Sequence, residues 1–202
     1  HVERKETVQE APLLYDLTTL QKEANTKHGF SAEQTLSIAQ KLYEAKLITY
    51  PRTGSRYISE DVFAEIPALL LTLKNNPAWG GYISGMGDLS LRSVDDTKIT
   101  DHHALLVTEV KAQHLGAEER IIYDMIAGRM LETFGERCVK DVTTVSAECG
   151  GVAFGIKGSV IKQAGWRGVY RQSEETEEVT LPEWKEGDTL PCLLYTSPSP
   201  RD

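Results

Sequence analysis

The 202-residue sequence is 40% hydrophobic and 26% charged, a composition typical of chains that fold around a packed core. This length suits one sizeable domain or two small ones. The longest apolar runs, such as residues 68–71, are far too short to span a bilayer, so no membrane partner is expected. The three cysteines (Cys138, Cys149 and Cys192) show no C-x-x-C spacing, which favours a reducing cytoplasm and no structural zinc.

The charge is unevenly distributed along the chain. The net charge of -8 argues against nucleic-acid binding by the surface as a whole. Residues 171–190 hold seven acidic residues against two basic ones and contribute -5 of that total. Residues 41–56 hold four basic residues against one acidic residue, which gives +3. Net charge therefore does not decide whether the chain binds nucleic acid, and the local patches have to be considered.

The first third of the chain predicts two capped helices that lead into a short strand. Residues 1–16 are charged and predict a linker followed by the end of a strand. The opening residues show neither an initiator nor a signal-peptide pattern, which suggests the cut edge of a longer protein. A capping box that opens at Thr18 predicts a helix that Gly29 ends, and the same device predicts a second helix over residues 31–45.

A tyrosine then enters a segment that cannot stay helical. Pro51 removes a backbone donor and pushes Tyr50 toward extended geometry. Arg52 and Arg56 place permanently charged guanidinium groups, which suit phosphate oxygens, near the phenol. A phenol with a pKa of about 10 is a poor nucleophile without such cations. On local chemistry alone, these residues more often form a tyrosine packed at a strand end beside solvated arginines.

The remaining elements follow from capping, periodicity and turn residues. In chain order they are a helix over 59–73 interrupted or restarted at Pro67, a surface loop over 78–97, a helix over 118–134, a β-hairpin turning at Gly150 and Gly151, further β-structure to residue 170, and an acidic loop over 172–190. Residues 149–171 carry four basic residues and no acidic one, which suits a DNA-facing sheet or an ordinary solvated face. The last ten residues match no pattern and are excluded from the fold.

A second informative stretch contains two adjacent histidines beside an aspartate, in residues 100–108 (TDHHALLVT). This grouping first suggests metal ligands. Neighbouring side chains on a strand point to opposite faces, so His102 and His103 are not expected to bind one ion. On these residues alone, a structural role for each histidine stays open.

Several segments, in the same order along the chain, resemble type IA DNA topoisomerases. Residues 49–55 (TYPRTGS) resemble the active-site signature of that family in the form of its topoisomerase III branch, which usually has Asp in place of Gly54. Residues 101–108 resemble that branch's active-site histidine motif, with a valine where proline is common. Residues 14–21 and 29–36 resemble the stretch that precedes the family's tyrosine.

The resemblance covers roughly residues 12–190 and implies an α+β fold. A mainly helical domain that bears the tyrosine would be inserted into a β-rich arch domain. The implied boundaries are a linker and strand end over 1–16, the helical domain over 17–138, the arch-domain segment over 139–192 and a non-native tail over 193–202.

The same resemblance implies ATP-independent cleavage and religation of single-stranded DNA, which relaxes or decatenates DNA. Tyr50 would attack a phosphodiester and leave a 5′-phosphotyrosyl link with a free 3′ hydroxyl. Arg52 would clamp the phosphate, and His102 would hydrogen-bond it or tune its neighbours. The other implied DNA-binding residues are Thr53, Ser55, Arg56 and His103.

The family's Mg²⁺ is held by an acidic cluster on a separate Toprim domain, which also supplies a lysine and a glutamate. No Asp-x-Asp-x-Asp pattern occurs here, so no metal ligand is assigned in this chain. The implied partners are single-stranded DNA and the Toprim-containing remainder of the polypeptide, in the nucleoid of a bacterial cytoplasm. The isolated chain is expected to be inactive.

Two other functions fit some of these residues. A non-enzymatic fragment that binds single-stranded DNA would not need the Tyr50 hydroxyl. A tyrosine recombinase also combines a tyrosine with arginine and histidine, but its nucleophile comes late in the chain and bonds to a 3′ phosphate. Tyr50 instead precedes His102.

Overall fold

The computed structural model of the protein describes residues 1–173 and 179–189. This part of the chain combines helices with one antiparallel sheet, which confirms the predicted α+β class. The strands are β1 (Val2–Gln9), β2 (Cys138–Cys149) and β3 (Val152–Gln163). The α-helices are α1 (Leu17–His28), α2 (Ala32–Glu44), α3 (Glu60–Leu73), α4 (Gly80–Ser84) and α5 (Ala117–Phe134).

The strands pair in the order β1–β2–β3. The hairpin between β2 and β3 turns at Gly150 and Gly151, as predicted, with φ angles of 59° and 80° that glycine adopts without steric cost. β1 runs antiparallel to β2, and Gln9 lies opposite Cys138. Residues 10–137 therefore leave the sheet after Gln9 and rejoin it at Cys138, the residue that pairs with Gln9. The five α-helices listed above all lie in this inserted segment, the helical excursion.

The prediction of a linker over the first residues is wrong for Val2–Gln9, which form β1. This strand was hidden because half of its residues are charged and six of the eight are exposed, so it lacks the alternation of a half-buried strand. Conversely, residues 13–15 form no strand, although Leu14 and Tyr15 are buried. The domain boundaries at residues 17 and 138 remain predictions.

The two helices before the tyrosine lie where they were predicted. The N-cap of α1 is Asp16 rather than Thr18, and its carboxylate accepts a 2.6 Å hydrogen bond from a first-turn N–H. Gly29 ends α1 with a φ of 73°. Ser31 caps α2 in the same way, with a 3.0 Å bond from the backbone N–H of Gln34.

The later helices follow the prediction with three corrections. α3 runs without a break through Pro67, because its buried face continues on both sides of the proline. The predicted loop over 78–97 contains α4 and a buried Trp79. The predicted β-structure after residue 164 is instead a 3₁₀-helical segment, Gly165–Ser173, which is interrupted by a kink at Tyr170. α5 ends before Gly135, as predicted.

The core is built on α5, whose residues 122–134 are mostly buried. α1 and α2 pack on α5, and residues 104–107 run through the core in extended form. The two segments that hold the predicted site residues, 47–58 and 101–108, therefore rest on one continuous hydrophobic cluster.

The described part of the acidic segment, residues 179–189, forms no helix or strand, in agreement with the predicted loop. Val179 nevertheless pairs with Ser159 at the edge of β3. Cys192 and the tail 193–202 lie outside the described residues. In the part of the chain that is described, no helix is long and apolar enough to cross a membrane.

Candidate active site

The tyrosine and histidine segments pair with each other next to the site. Thr49 N–H donates to the carbonyl of Leu106 at 2.9 Å, and Thr108 N–H donates to the carbonyl of Leu47 at 3.0 Å. Between them, the buried Ile48 and Val107 form an antiparallel bridge. Instead of the two predicted strands, the structure has one short pairing between residues 47–49 and 106–108. This pairing brings residues 50 and 102 close together.

The Thr49 hydroxyl adds a second link between the two segments. It accepts a 3.0 Å hydrogen bond from Leu106 N–H and donates to the carbonyl of Ala104 at 3.4 Å. The histidine segment is thereby held on both sides of Leu105. Sequence reasoning gave Thr49 no role, and the only available signal was a hydroxyl placed directly before the tyrosine.

The Tyr50 ring contacts two other rings. Its centroid is 4.5 Å from that of His102, with an interplanar angle of 51°. The Tyr43 ring also meets it, edge to face, at 5.4 Å and 75°. Tyr50 is half-buried, while Tyr43 and His102 are exposed. The phenol is therefore oriented by ring contacts and stays close to the protein surface.

Arg52 follows the buried Pro51 and extends into solvent. Among the described residues, no hydrogen bond or ion pair engages its guanidinium group. An exposed, unengaged guanidinium two residues after Tyr50 can bind an anion without first giving up a protein partner. The guanidinium predicted to clamp the phosphate is thus unengaged among the described residues, and its role as a clamp remains a prediction.

Thr53 and Ser55 lie in the interior instead. They are only 5% and 4% exposed. The Thr53 hydroxyl donates to the carbonyl of His102 at 3.0 Å and accepts from Ser55 N–H at 3.1 Å. The Ser55 hydroxyl donates to the carbonyl of Lys98 at 3.0 Å. Both hydroxyls therefore hold the loop in shape, and the DNA contacts predicted for them remain predictions.

Arg56 also faces the protein. Its Nε donates to the carbonyl of Leu14 at 3.1 Å, and its Nη2 donates to the carbonyl of Leu13 at 3.4 Å. His103 is half-buried, with Nδ1 2.7 Å from the carbonyl of Ala104, a contact that requires the proton on Nδ1. Of the seven predicted residues, the structure brings Tyr50 and His102 into contact and leaves Arg52 beside them.

The comparisons with known proteins agree with this arrangement. A model of the DNA topoisomerase family matches residues 1–201 of the chain. The chain belongs to the DNA topoisomerase family. Among its relatives, DNA topoisomerase 3 of Bacillus subtilis is 40% identical over 202 positions that cover 94% of this chain and 28% of the relative. DNA topoisomerase 3 of Bacillus licheniformis is 38% identical, with coverages of 92% and 27%.

These relatives confirm the resemblance to the topoisomerase III branch. The chain spans between a quarter and a third of their length. Full-length topoisomerase I from Thermotoga maritima has a similar fold, with a TM-score of 0.67 at 23% identity over 93% of this chain and 31% of that one. The fold predicted from the resemblance is therefore confirmed for this portion.

Behind the tyrosine loop of this topoisomerase-family chain lies a buried charged cluster that sequence reasoning missed. Arg129 on α5 forms ion pairs with Glu23 and Glu132, and its Nη2 lies 3.3 Å from the hydroxyl of Tyr15. Its Nη1 donates to the carbonyl of Leu13 at 3.2 Å, the same carbonyl that accepts from Arg56. A mid-helix arginine among apolar residues was the available signal.

Burial and the neighbouring charges shift the pKa values of the carboxyl groups in this cluster. Burial raises the pKa of Glu132, although the neighbouring Arg129 opposes that shift. Burial also acts to raise the pKa of Glu23, but the Arg129 charge and the hydrogen bonds from Tyr15, Arg129 and Lys27 outweigh it and lower that pKa. Glu23 is thus held as a carboxylate, which keeps Arg129 paired.

Two of the four basic residues in 149–171 contact other protein groups. Lys162 lies 2.9 Å from Glu6 and 3.6 Å from Asp141. Arg167 donates from Nε to the side-chain oxygen of Gln9 at 2.9 Å. Two of the four cations suggested for a DNA-facing sheet therefore contact protein groups, which favours the interpretation as an ordinary solvated face.

Proposed function

We propose that this chain supplies the nucleophile of a type IA DNA topoisomerase of the topoisomerase III branch. The Tyr50 phenol loses its proton, and its oxygen bonds to the phosphorus of a phosphodiester in single-stranded DNA as the 3′ oxygen leaves and takes up a proton. The products are a 5′-phosphotyrosyl link and a free 3′ hydroxyl. Religation reverses the step and needs no ATP, because the phosphotyrosine retains the energy of the broken bond. Relaxation or decatenation of DNA follows from strand passage through the break.

The observation that carries this proposal is the position of Tyr50 near the surface, against His102 and beside an unengaged Arg52, in a chain of this family. A phosphate that reaches the phenol from solvent meets Arg52 on the same loop. The Arg52 guanidinium stabilises the charge that develops on the non-bridging oxygens. His102, whose ring contacts that of Tyr50, hydrogen-bonds the same phosphate or tunes its neighbours.

The remaining predicted residues divide into two roles. Thr53 and Ser55 position the loop through the backbone carbonyls that they bind. Arg56 adds positive charge behind the loop while its Nε and Nη2 hold residues 13 and 14. His103 fixes the path of the histidine segment through its bond to the carbonyl of Ala104.

We place the Mg²⁺ that the family resemblance implies on the Toprim domain. Among residues 1–173 and 179–189, no group of three or more His, Cys, Asp or Glu side chains could hold a metal ion. No residue of this chain is therefore assigned to the metal, and no step described here depends on it. We further propose that the Toprim domain and single-stranded DNA are the partners of this chain, in the nucleoid of a bacterial cytoplasm.

The test is covalent capture of DNA. The chain is mixed with single-stranded oligonucleotide, Mg²⁺ and a separately produced Toprim half, and the products are separated on a denaturing gel. We expect a protein–DNA adduct that carries the 5′ phosphate of the cleaved strand and is abolished by Tyr50→Phe. Tyr57→Phe, on the same loop, is the matched control and retains the adduct.

The alternatives predict different results in the same assay. If the chain only binds single-stranded DNA, Tyr50→Phe leaves DNA affinity unchanged and no adduct forms with either protein. If it is a tyrosine recombinase, end-labelled oligonucleotide shows attachment to the 3′ phosphate. Either result, with the two halves shown to associate, would contradict the proposed function.

A further inference from the structure

A groove opens next to Tyr43, the residue whose ring meets that of Tyr50 edge to face. Its volume is about 450 Å³, and its lining comes from the end of α2 and the paired segments (Tyr43, Glu44, Lys46, Ile48, Thr49 and Thr108). Lys46 has a φ of 62°, a left-handed conformation that is uncommon for a residue other than glycine. That turn carries the chain from α2 back into the pairing at residue 47 and shapes one wall of the groove.

An exposed aromatic ring forms part of this groove. Tyr43 is 39% exposed, and its contact with Tyr50 is edge to face, so one ring meets the other without stacking. The groove therefore offers aromatic surface directly next to the proposed nucleophile. Aromatic side chains near a nucleic-acid backbone are the usual platforms for unpaired bases.

The polar groups of the groove are largely committed to the protein. The Thr49 hydroxyl bonds residues 104 and 106, and the Thr108 hydroxyl donates to the carbonyl of Lys46. One carboxylate oxygen of Glu44 accepts from the Gln40 amide at 3.1 Å. What remains at the rim is one carboxylate oxygen and the Lys46 ammonium group. The groove thus has an aromatic wall and few groups that could read a base edge, which suits sequence-tolerant stacking.

We infer that this groove is a subsite for one unpaired DNA base, which stacks on Tyr43. The inference rests on the proposed function, because a 5′-phosphotyrosyl link leaves the downstream strand attached to Tyr50. The first nucleotides of that strand must then lie on the surface around Tyr50. The Tyr43 ring, which contacts Tyr50, lines the groove, and the Lys46 charge in its lining attracts the backbone phosphate.

The experiment measures binding of single-stranded oligonucleotides that contain 2-aminopurine, whose fluorescence falls when it stacks on an aromatic ring. The 202-residue chain is titrated into the oligonucleotide, and both anisotropy and quenching are recorded at one fixed salt concentration. We expect Tyr43→Ala and Tyr43→Leu to weaken binding about tenfold and to remove the quenching. Tyr43→Phe retains the ring and both signals. Phe154→Ala, which removes an exposed ring on β3, is the matched control and leaves both unchanged.

Two results would overturn the subsite. In the first, Tyr43→Ala and Tyr43→Leu bind and quench like the Phe154→Ala control, although the Tyr50-dependent adduct still forms with the Toprim half. The subsite would then be wrong and the proposed function would stand. In the second, the unmodified chain neither binds nor quenches the oligonucleotide. The adduct assay then decides the proposed function separately.

Discussion

Thr49 joins two chain segments through one hydroxyl, immediately before the proposed nucleophile. That hydroxyl accepts a 3.0 Å hydrogen bond from Leu106 N–H, which makes no other hydrogen bond in the described part of the chain. Thr49→Val keeps the shape of the side chain and leaves that N–H unpaired. We expect a loss of about 1–3 kcal/mol in the free energy of unfolding, measured by urea denaturation.

Two comparisons test the Thr49 prediction. Thr49→Ser keeps the hydroxyl and should lose much less stability than Thr49→Val. Thr26→Val removes a hydroxyl that bonds only within α1, at an exposed position, and should change stability by about 0.5 kcal/mol or less. Equal stability of Thr49→Val and the unmodified chain would show that the hydroxyl link is not needed.

Arg52 is the residue whose role depends most on its lack of protein partners. Arg52→Ala removes no contact of the described fold, so the variant should unfold like the unmodified chain. If Arg52 clamps the phosphate, the rate of adduct formation with the Toprim half should fall by about 10²- to 10³-fold. Arg92→Ala, at another exposed arginine, is the control. An unchanged rate in Arg52→Ala would assign the clamp to another group.

At the scale of elements, Gly165 lies where the end of β3, the end of α5 and the 3₁₀ helix meet. Its φ is 53°, and a Cβ there would overlap the carbonyl oxygens of Glu136 and Arg137. Because those neighbours are backbone atoms, they cannot move aside cheaply. We expect Gly165→Ala to cost about 1–3 kcal/mol in urea unfolding. Gly155→Ala, in an open part of β3, should stay within about 0.5 kcal/mol, and equal losses would contradict the prediction.

The Arg129 cluster ties α1 to α5 and predicts a pH dependence. The folded-state pKa of Glu23 is lowered, so its contribution to stability is present above its ordinary value of 4.5 and is lost as pH falls through the lowered one. Glu23→Gln should therefore be about 1–3 kcal/mol less stable at pH 7, and this difference should shrink below pH 4.5. Urea unfolding at several pH values measures it. Glu65→Gln, at an exposed position of α3, should show a constant difference.

The sequence predicted those helices and turns whose ends are marked by capping or turn residues. Ser31, Gly29 and the glycine pair at 150 and 151 located α2, the end of α1 and the hairpin through caps and turns that need no distant partner. β1 escaped prediction because its pairing with β2, not burial of its side chains, makes it a strand. The candidate site was likewise predicted only in part. The sequence identified its two segments separately, but it did not predict the Thr49–Leu106 contact between them, which joins residues 57 positions apart.

At the scale of the whole molecule, both ends of the helical excursion attach to the paired positions Gln9 and Cys138. Trp166 strengthens this attachment, since its backbone N–H donates to Glu136 and its ring N–H donates to the carbonyl of Gln9 at 3.2 Å. The body that carries Tyr50 is therefore joined to the sheet at this pair, and the 3₁₀ segment after β3 also packs on it, with Val169 buried in the same hydrophobic cluster. We propose that this body moves about the pair during the proposed strand passage.

The chain spans only about 28% of its Bacillus subtilis relative. In the proposed function, a Toprim domain outside this chain supplies groups that the chemistry needs. We therefore expect the 202-residue chain alone to leave negatively supercoiled plasmid unrelaxed in the presence of Mg²⁺, as judged by agarose-gel electrophoresis. Addition of the separately produced Toprim half should restore Tyr50-dependent cleavage, and Tyr50→Phe should abolish it. Relaxation by the chain alone would show that it contains a complete active site. It would also move the search for the general acid to residues next to Tyr50, beginning with His102.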